Sequence, residues 1–154
     1  MRARRLMAIA VIGLFALQAQ PAAAAGPTIE RGKFEEYFFD DFIYDICGIE
    51  TYTTWTQTWS VKTFPDGSEI VHVVRTFVPD DPRIPVEYGA GTSFHSPDGT
   101  VRVVGKPLQL FEPDGGIRLL DAGSVTFGDE VIVHGHHPVR AWEADLTPYY
   151  CPQS

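Results

Sequence analysis

Phe64-Pro65-Asp66-Gly67-Ser68 is matched in kind by Ser96-Pro97-Asp98-Gly99-Thr100 and by Glu112-Pro113-Asp114-Gly115-Gly116. In each, Pro presets φ, Asp bonds its own backbone and Gly accepts a positive φ, so each reads as a tight turn. The flanks are β-branched or aromatic runs: Thr51 to Phe64, Glu69 to Val78, Val86 to Phe94, Val101 to Val104, Leu108 to Phe111 and Ile117 to Leu120. Three hairpins follow from three such turns. Gly128-Asp129, between Val125 to Phe127 and Glu130 to Val133, is a two-residue hairpin signal. Ala141 to Leu146 supplies a last strand, and Phe34 to Phe39 and Phe42 to Ile46 read as early strands. The expectation is an all-β antiparallel meander of short strands, forming a small closed or nearly closed barrel or a two-sheet sandwich.

Alternation assigns the faces. Ile84, Val86, Tyr88, Ala90 and Phe94 share one side, against Arg83, Glu87 and His95 on the other. In the longest run, Trp55, Gln57 and Trp59 share a face with Thr53 and Val61, while Thr54, Thr56, Thr58 and Ser60 cover the opposite one. Inside a barrel, the Trp face either fills the interior or lines a ligand cavity. Trp55, Gln57, Trp59 and Tyr88 are therefore the candidate ligand-binding residues.

The ends of the chain set its compartment. Arg2, Arg4 and Arg5 precede an apolar run from Leu6 to Leu17, and Ala23-Ala24-Ala25 offers a small-residue cleavage site. This is a secretory leader over residues 1–25, followed by a single β domain over residues 26–154. No later run approaches the ~20 apolar residues needed to span a bilayer, so no integral membrane segment is expected after cleavage. The full chain carries a formal charge of −8, and removing three arginines makes the mature domain more acidic still. Such a surface repels phosphates and excludes nucleic acid as a partner. Cys47 and Cys151 are the two cysteines, and outside the cytosol an even pair most simply forms one disulfide.

Catalytic signals are thin. On a strand His134 and His136 point the same way and can give a metal two imidazoles, but no third ligand is evident beside them. Glu35-Glu36, Asp40-Asp41 and Asp80-Asp81 are adjacent pairs, which a strand splits between faces, and Pro79 to Pro82 reads as a surface turn. Ser93 stands two residues from His95 without a nucleophile elbow. No cofactor-binding motif is present, and the absence of Asn excludes N-glycosylation.

The aspartate-rich segment ending in Cys47-Gly48, the Thr/Trp strand, the Pro-Asp-Gly turns, Leu119 to Gly123, His137-Pro138 and the terminal Cys151 together have a familiar order. In these features the chain resembles a group of small secreted proteins from high-GC Gram-positive bacteria that has no assigned activity. The resemblance implies the cysteine pairing and the β architecture, and carries no site residue across. The expectation is a secreted, non-catalytic binding module for a small apolar ligand or an envelope component. Two other classes stay open: a barrel enzyme of cyclase or metal-dependent cupin-like type, and a structural or interaction protein.

Overall fold

The computed structural model describes residues 26–138 and 145–152. The leader expected over residues 1–25, and all but the end of the last expected strand, lie outside the described residues. Seven antiparallel strands form one sheet in chain order: β1 (Thr28–Phe39), β2 (Tyr52–Thr63), β3 (Glu69–Pro79), β4 (Val86–His95), β5 (Val101–Phe111), β6 (Ile117–Phe127) and β7 (Ile132–His136). Two short helices, α1 (Asp41–Cys47) and α2 (Thr147–Tyr150), complete the fold. The meander is as expected. Closure is not observed: β1 and β7 are the two edges of an open sheet, and no second sheet is present among the described residues.

The three Pro-Asp-Gly turns behave alike. In the first, Gly67 N–H reaches the Phe64 carbonyl at 3.0 Å, Gly67 takes φ 83°, and Asp66 Oδ1 accepts from Ser68 N–H at 2.9 Å. Thr100 N–H donates to Asp98 Oδ1 at 2.8 Å, and Gly116 N–H to Asp114 Oδ1 at 3.1 Å. Hydrogen bonds from the Ser68 hydroxyl and amide hold the Asp66 carboxyl below its usual range, and those from Thr100 do the same for Asp98. A carboxyl depressed in the folded state stabilises above its unfolded pKa, about 3.9, and that contribution fades as pH falls through the folded value. Proton-exchange protection of the Ser68 and Thr100 amides is therefore expected to persist down to about pH 4 and to fall below it. Loss already at about pH 6 would show that the aspartates do not hold these turns.

Four departures from the sequence reading have physical causes. Phe42 to Ile46 is helical, not extended: Asp40 Oδ1 caps Ile43 N–H at 3.0 Å, and Gly48 at φ 66° closes the other end with its N–H on the Tyr44 carbonyl. The runs 101–104 and 108–111 are one strand, as are 117–120 and 125–127, because Gly105 and Gly123 lie opposite each other within the ladder instead of ending it. The two-residue turn at Gly128-Asp129 is not formed. Thr126 pairs with Ile132, and neither turn residue has the positive φ that such a turn requires. The observed register pairs Val125 with Val133; a one-residue slip would turn Val133 to the opposite face.

Gly91, Gly105, Gly123 and Gly135 stand opposite one another in a row across β4 to β7. The last three have φ of 140°, 145° and 114°, and a Cβ on Gly123 would overlap the His134 carbonyl oxygen. The row is a crease at which neighbouring backbones approach more closely than side chains allow. Gly123→Ala should cost about 2–3 kcal/mol, from backbone strain and overlap together. Denaturant unfolding measures it, and a loss under about 0.5 kcal/mol, as at an ordinary surface site, would refute the crease.

The core gathers at one end of the sheet. Ile43 of α1, Ile84, Leu108 and Leu110 of β5, Leu119 of β6 and Tyr150 of α2 are buried together. Cys47 and Cys151 are joined in a disulfide, as expected, and this bridge ties α1 to α2 across the core. No described helix is long and apolar enough to cross a membrane.

Candidate functional site

A cavity of about 310 Å³ is lined by the start of α1, the ends of β1 and β3, the start of β4, and α2. Phe38, Phe42, Phe77, Ile84, Pro85 and Tyr150 supply its apolar walls, and Arg75, Glu87 and Asp40 its polar groups. Arg75 also lines a second hollow of about 210 Å³ with Val71, Val73, Gly91, Ser93 and Val103. The cross-strand register places Trp55, Gln57 and Trp59 on the face that carries Phe77, Arg75 and Val73. Both hollows thus open on the Trp face of the sheet.

The polar groups are bound to one another. Arg75 Nη2 pairs with Glu87 Oε1 at 3.1 Å, and the buried Tyr150 hydroxyl donates to the same carboxylate. Burial, and then the Glu87 charge, push the Tyr150 phenol far above its ordinary pKa, so it remains a donor across the physiological range. Asp40 is occupied structurally: Oδ1 caps α1, and Oδ2 accepts from the Thr53 hydroxyl at 2.6 Å. Gly89 opposes Arg75, and a Cβ there would stand 2.6 Å from the Pro107 carbonyl oxygen and 3.1 Å from Arg75 Nε, so the glycine first admits the neighbouring backbone and then leaves room for the Arg75 side chain.

Two buried donors find no acceptor among the described residues: the Trp55 indole N–H and Arg75 Nε. Both side chains pack on Phe77, Trp55 stacked at a centroid distance of 5.2 Å and the Arg75 guanidinium 5.7 Å from the ring centre. An orphaned buried donor costs about 1–3 kcal/mol, so such positions are where a ligand acceptor is most rewarded.

The expected binding residues do not converge. Trp55 stands next to the cavity through Phe77, and Gln57 faces Arg75 in the register. Trp59 is used in packing: its indole lies over Gly32 of β1, where a Cβ would overlap the ring. Tyr88 pairs with Thr76, which places it on the opposite face, beside Lys106, Gln109 and Phe111. Phe77, Arg75, Glu87 and Tyr150 were not marked by the sequence reading. Arg75, alone among Val71, Val73 and Phe77 on its face of the strand, was the available signal.

His134 and His136 do share a side of β7, but both are exposed, opposite Ser124 and Ala122. Among the described residues no group of three His, Cys, Asp or Glu is placed to hold a metal. The histidine of that cluster with a defined partner is His137. Its Nδ1 pairs with Asp121 Oδ1, and both side chains are almost wholly buried. His137 Nε2 lies 3.2 Å from the His134 carbonyl. Single His134→Ala and His136→Ala changes should each shift stability by less than about 0.5 kcal/mol, as surface substitutions do; a larger shift in thermal unfolding would give the pair a role the geometry does not.

Ser93 Oγ and His95 Nε2 are 2.8 Å apart, but no carboxylate bonds the His95 ring among the described residues. The adjacent aspartates diverge: Asp80 accepts from the Tyr37 hydroxyl at 2.6 Å, whereas Asp81 is held below its usual pKa by hydrogen bonds from Arg83. Neither a family model, nor a curated protein, nor a solved structure matches the chain.

Proposed function

We propose that this is an exported, non-catalytic binding module whose ligand is a small apolar molecule carrying one hydrogen-bond acceptor, held in the cavity at the start of α1. The observation that carries this reading is the pairing of an aromatic-walled space of about 310 Å³ with two orphaned donors packed on Phe77. That volume lies at the small end of ligand pockets, which combine apolar walls with a few placed polar groups. Glu87 already neutralises Arg75, so the site favours an uncharged acceptor such as a carbonyl or ether over a carboxylate. In this reading the curved sheet works as an incomplete barrel, stoppered at one end by α1, α2 and their disulfide. The Cys47–Cys151 bridge and the leader-like residues 1–25 support export to the medium or the cell envelope.

Titration with the uncharged ketone fluorophore 6-propionyl-2-dimethylaminonaphthalene, whose carbonyl supplies the acceptor, tests the site. Saturation at one equivalent is expected, accompanied by a change in tryptophan emission, because Trp55 stacks on the cavity wall. Phe77→Ala should weaken binding about tenfold, or about 1.4 kcal/mol. Tyr88→Ala, on the opposite face, should leave it unchanged. Equal loss in both variants, or no saturable binding by the wild type, would overturn the reading. Native mass spectrometry of protein taken from culture medium, before and after acid denaturation, would reveal a resident ligand directly.

A further inference from the structure

The two edges of the sheet differ in kind. β7 has five residues, whereas β1 runs for twelve without a proline, and its outer row of backbone N–H and C=O groups has no strand beside it among the described residues. An edge of that length is a template for another strand, and proteins normally blunt it with charge, proline or a bulge. The charges on β1 are of both signs, with Arg31 and Lys33 between Glu30 and the Glu35-Glu36 pair, so a second copy in the right register can meet them with opposite charges. Two of its large apolar side chains, Ile29 and Tyr37, are also 55% and 60% exposed.

We propose that β1 is the surface through which two copies of this chain pair, antiparallel about a two-fold axis at Phe34, each sheet continuing into the other. A two-fold axis perpendicular to the sheet keeps each residue on its own face, so opposed residues must share parity. Centred on Phe34, Lys33 meets the partner's Glu35 and Arg31 meets the partner's Tyr37. Ile29 meets the partner's Phe39, and the Phe34 rings meet each other. Each contact on the Lys33 face is thus an opposite-charge, cation–aromatic or apolar pair. The Tyr37 ring is already positioned, stacked on Tyr52 at 5.3 Å and anchored through its hydroxyl to Asp80.

Neighbouring registers fail on charge. An axis at Lys33 sets Lys33 on its own copy and Glu30 on Glu36, and an axis at Glu35 sets that carboxylate on itself. An axis at Gly32 opposes Arg31 to Lys33, and one at Glu36 again meets itself. Like charges directly opposed destabilise a strand pair, so the sequence of β1 selects the Phe34 register.

The mass of the purified protein in solution, measured by light scattering over a concentration series, tests this. A dimer is expected for the wild type. Lys33→Glu and Glu35→Lys, both at exposed positions, should each weaken it at least tenfold. Mixing the two variants should restore a dimer, because each then supplies the charge that the other lacks. That recovery also shows that both variants are folded. A wild type that stays monomeric, a dimer indifferent to either reversal, or a mixture that does not reassociate would overturn the proposal.

Discussion

Replacing Cys47 or Cys151 with Ser is expected to lower stability by about 4–5 kcal/mol, the chain-entropy value for a loop of about 100 residues. The bridge spans a sequence separation of 104 residues. For a domain of this size the loss corresponds to a fall in Tm of roughly 15–20 °C. Local consequences follow from what the bridge holds. α2 is a single turn of four residues, and an isolated turn of that length has no stability of its own. Its Tyr150 nevertheless contributes to the core, lies edge-on to Phe42 of α1 at 5.2 Å, and lines the cavity. Without the bridge Tyr150 should leave the core and Glu87 should lose one of its two partners, so fluorophore binding should weaken together with Tm. Thermal unfolding with and without reductant reads the first effect, and titration at low temperature, where the sheet is still folded, reads the second. An unchanged Tm on reduction would mean that the helices are held by packing alone.

Asp121→Ala is expected to cost about 3 kcal/mol, the upper end of the range for leaving a buried polar group without its partner. Asp121 lies on β6, in register with Leu108 of β5, and its side chain is 2% exposed. Its partner, the His137 imidazole, leaves β7 and folds back over Gly123, where a Cβ would stand 2.9 Å from Nε2. The pair therefore ties the segment after the edge strand to the strand inside it, across the glycine crease. Removing either partner leaves the facing polar group of the other buried without that contact, whereas removing both takes the two groups away together. Asp121→Ala/His137→Ala should thus lose clearly less than the sum of the two single changes in denaturant unfolding. Additive losses would show that the two side chains contribute separately.

Much of the fold was legible because turns and alternation are local. Pro-Asp-Gly carries its own conformational instruction within a few residues, so the three hairpins could be read without knowing their neighbours. The cysteine pairing was readable from count and compartment. Helix α1 was missed because aromatic and β-branched residues are suited to strands, while its determinants, the Asp40 cap and the left-handed Gly48, weigh on single residues at the boundaries. The long strands were read as pairs of short ones because a glycine in a sequence looks like a stop. Only its position opposite another glycine makes it a crease.

The candidate site was half legible. Trp55 and Gln57 were placed on the correct face by parity, since a strand alternates whatever surrounds it. Tyr88 could not be placed relative to them, because parity says nothing across strands until the register is known. The sequence by itself determined the meander, its three Pro-Asp-Gly turns, the single disulfide and the alternating faces, all of which follow from short-range stereochemistry or from counting. The tertiary structure alone decided that the seven described strands form a sheet that does not close, that His137 rather than His134 and His136 finds a carboxylate, and that Arg75, Glu87 and Tyr150 meet. Those three come from β3, β4 and α2, and they are brought together by strand register and by a bridge that closes the chain upon itself. Such long-range closure depends on the summed packing of distant segments, which no local pattern encodes.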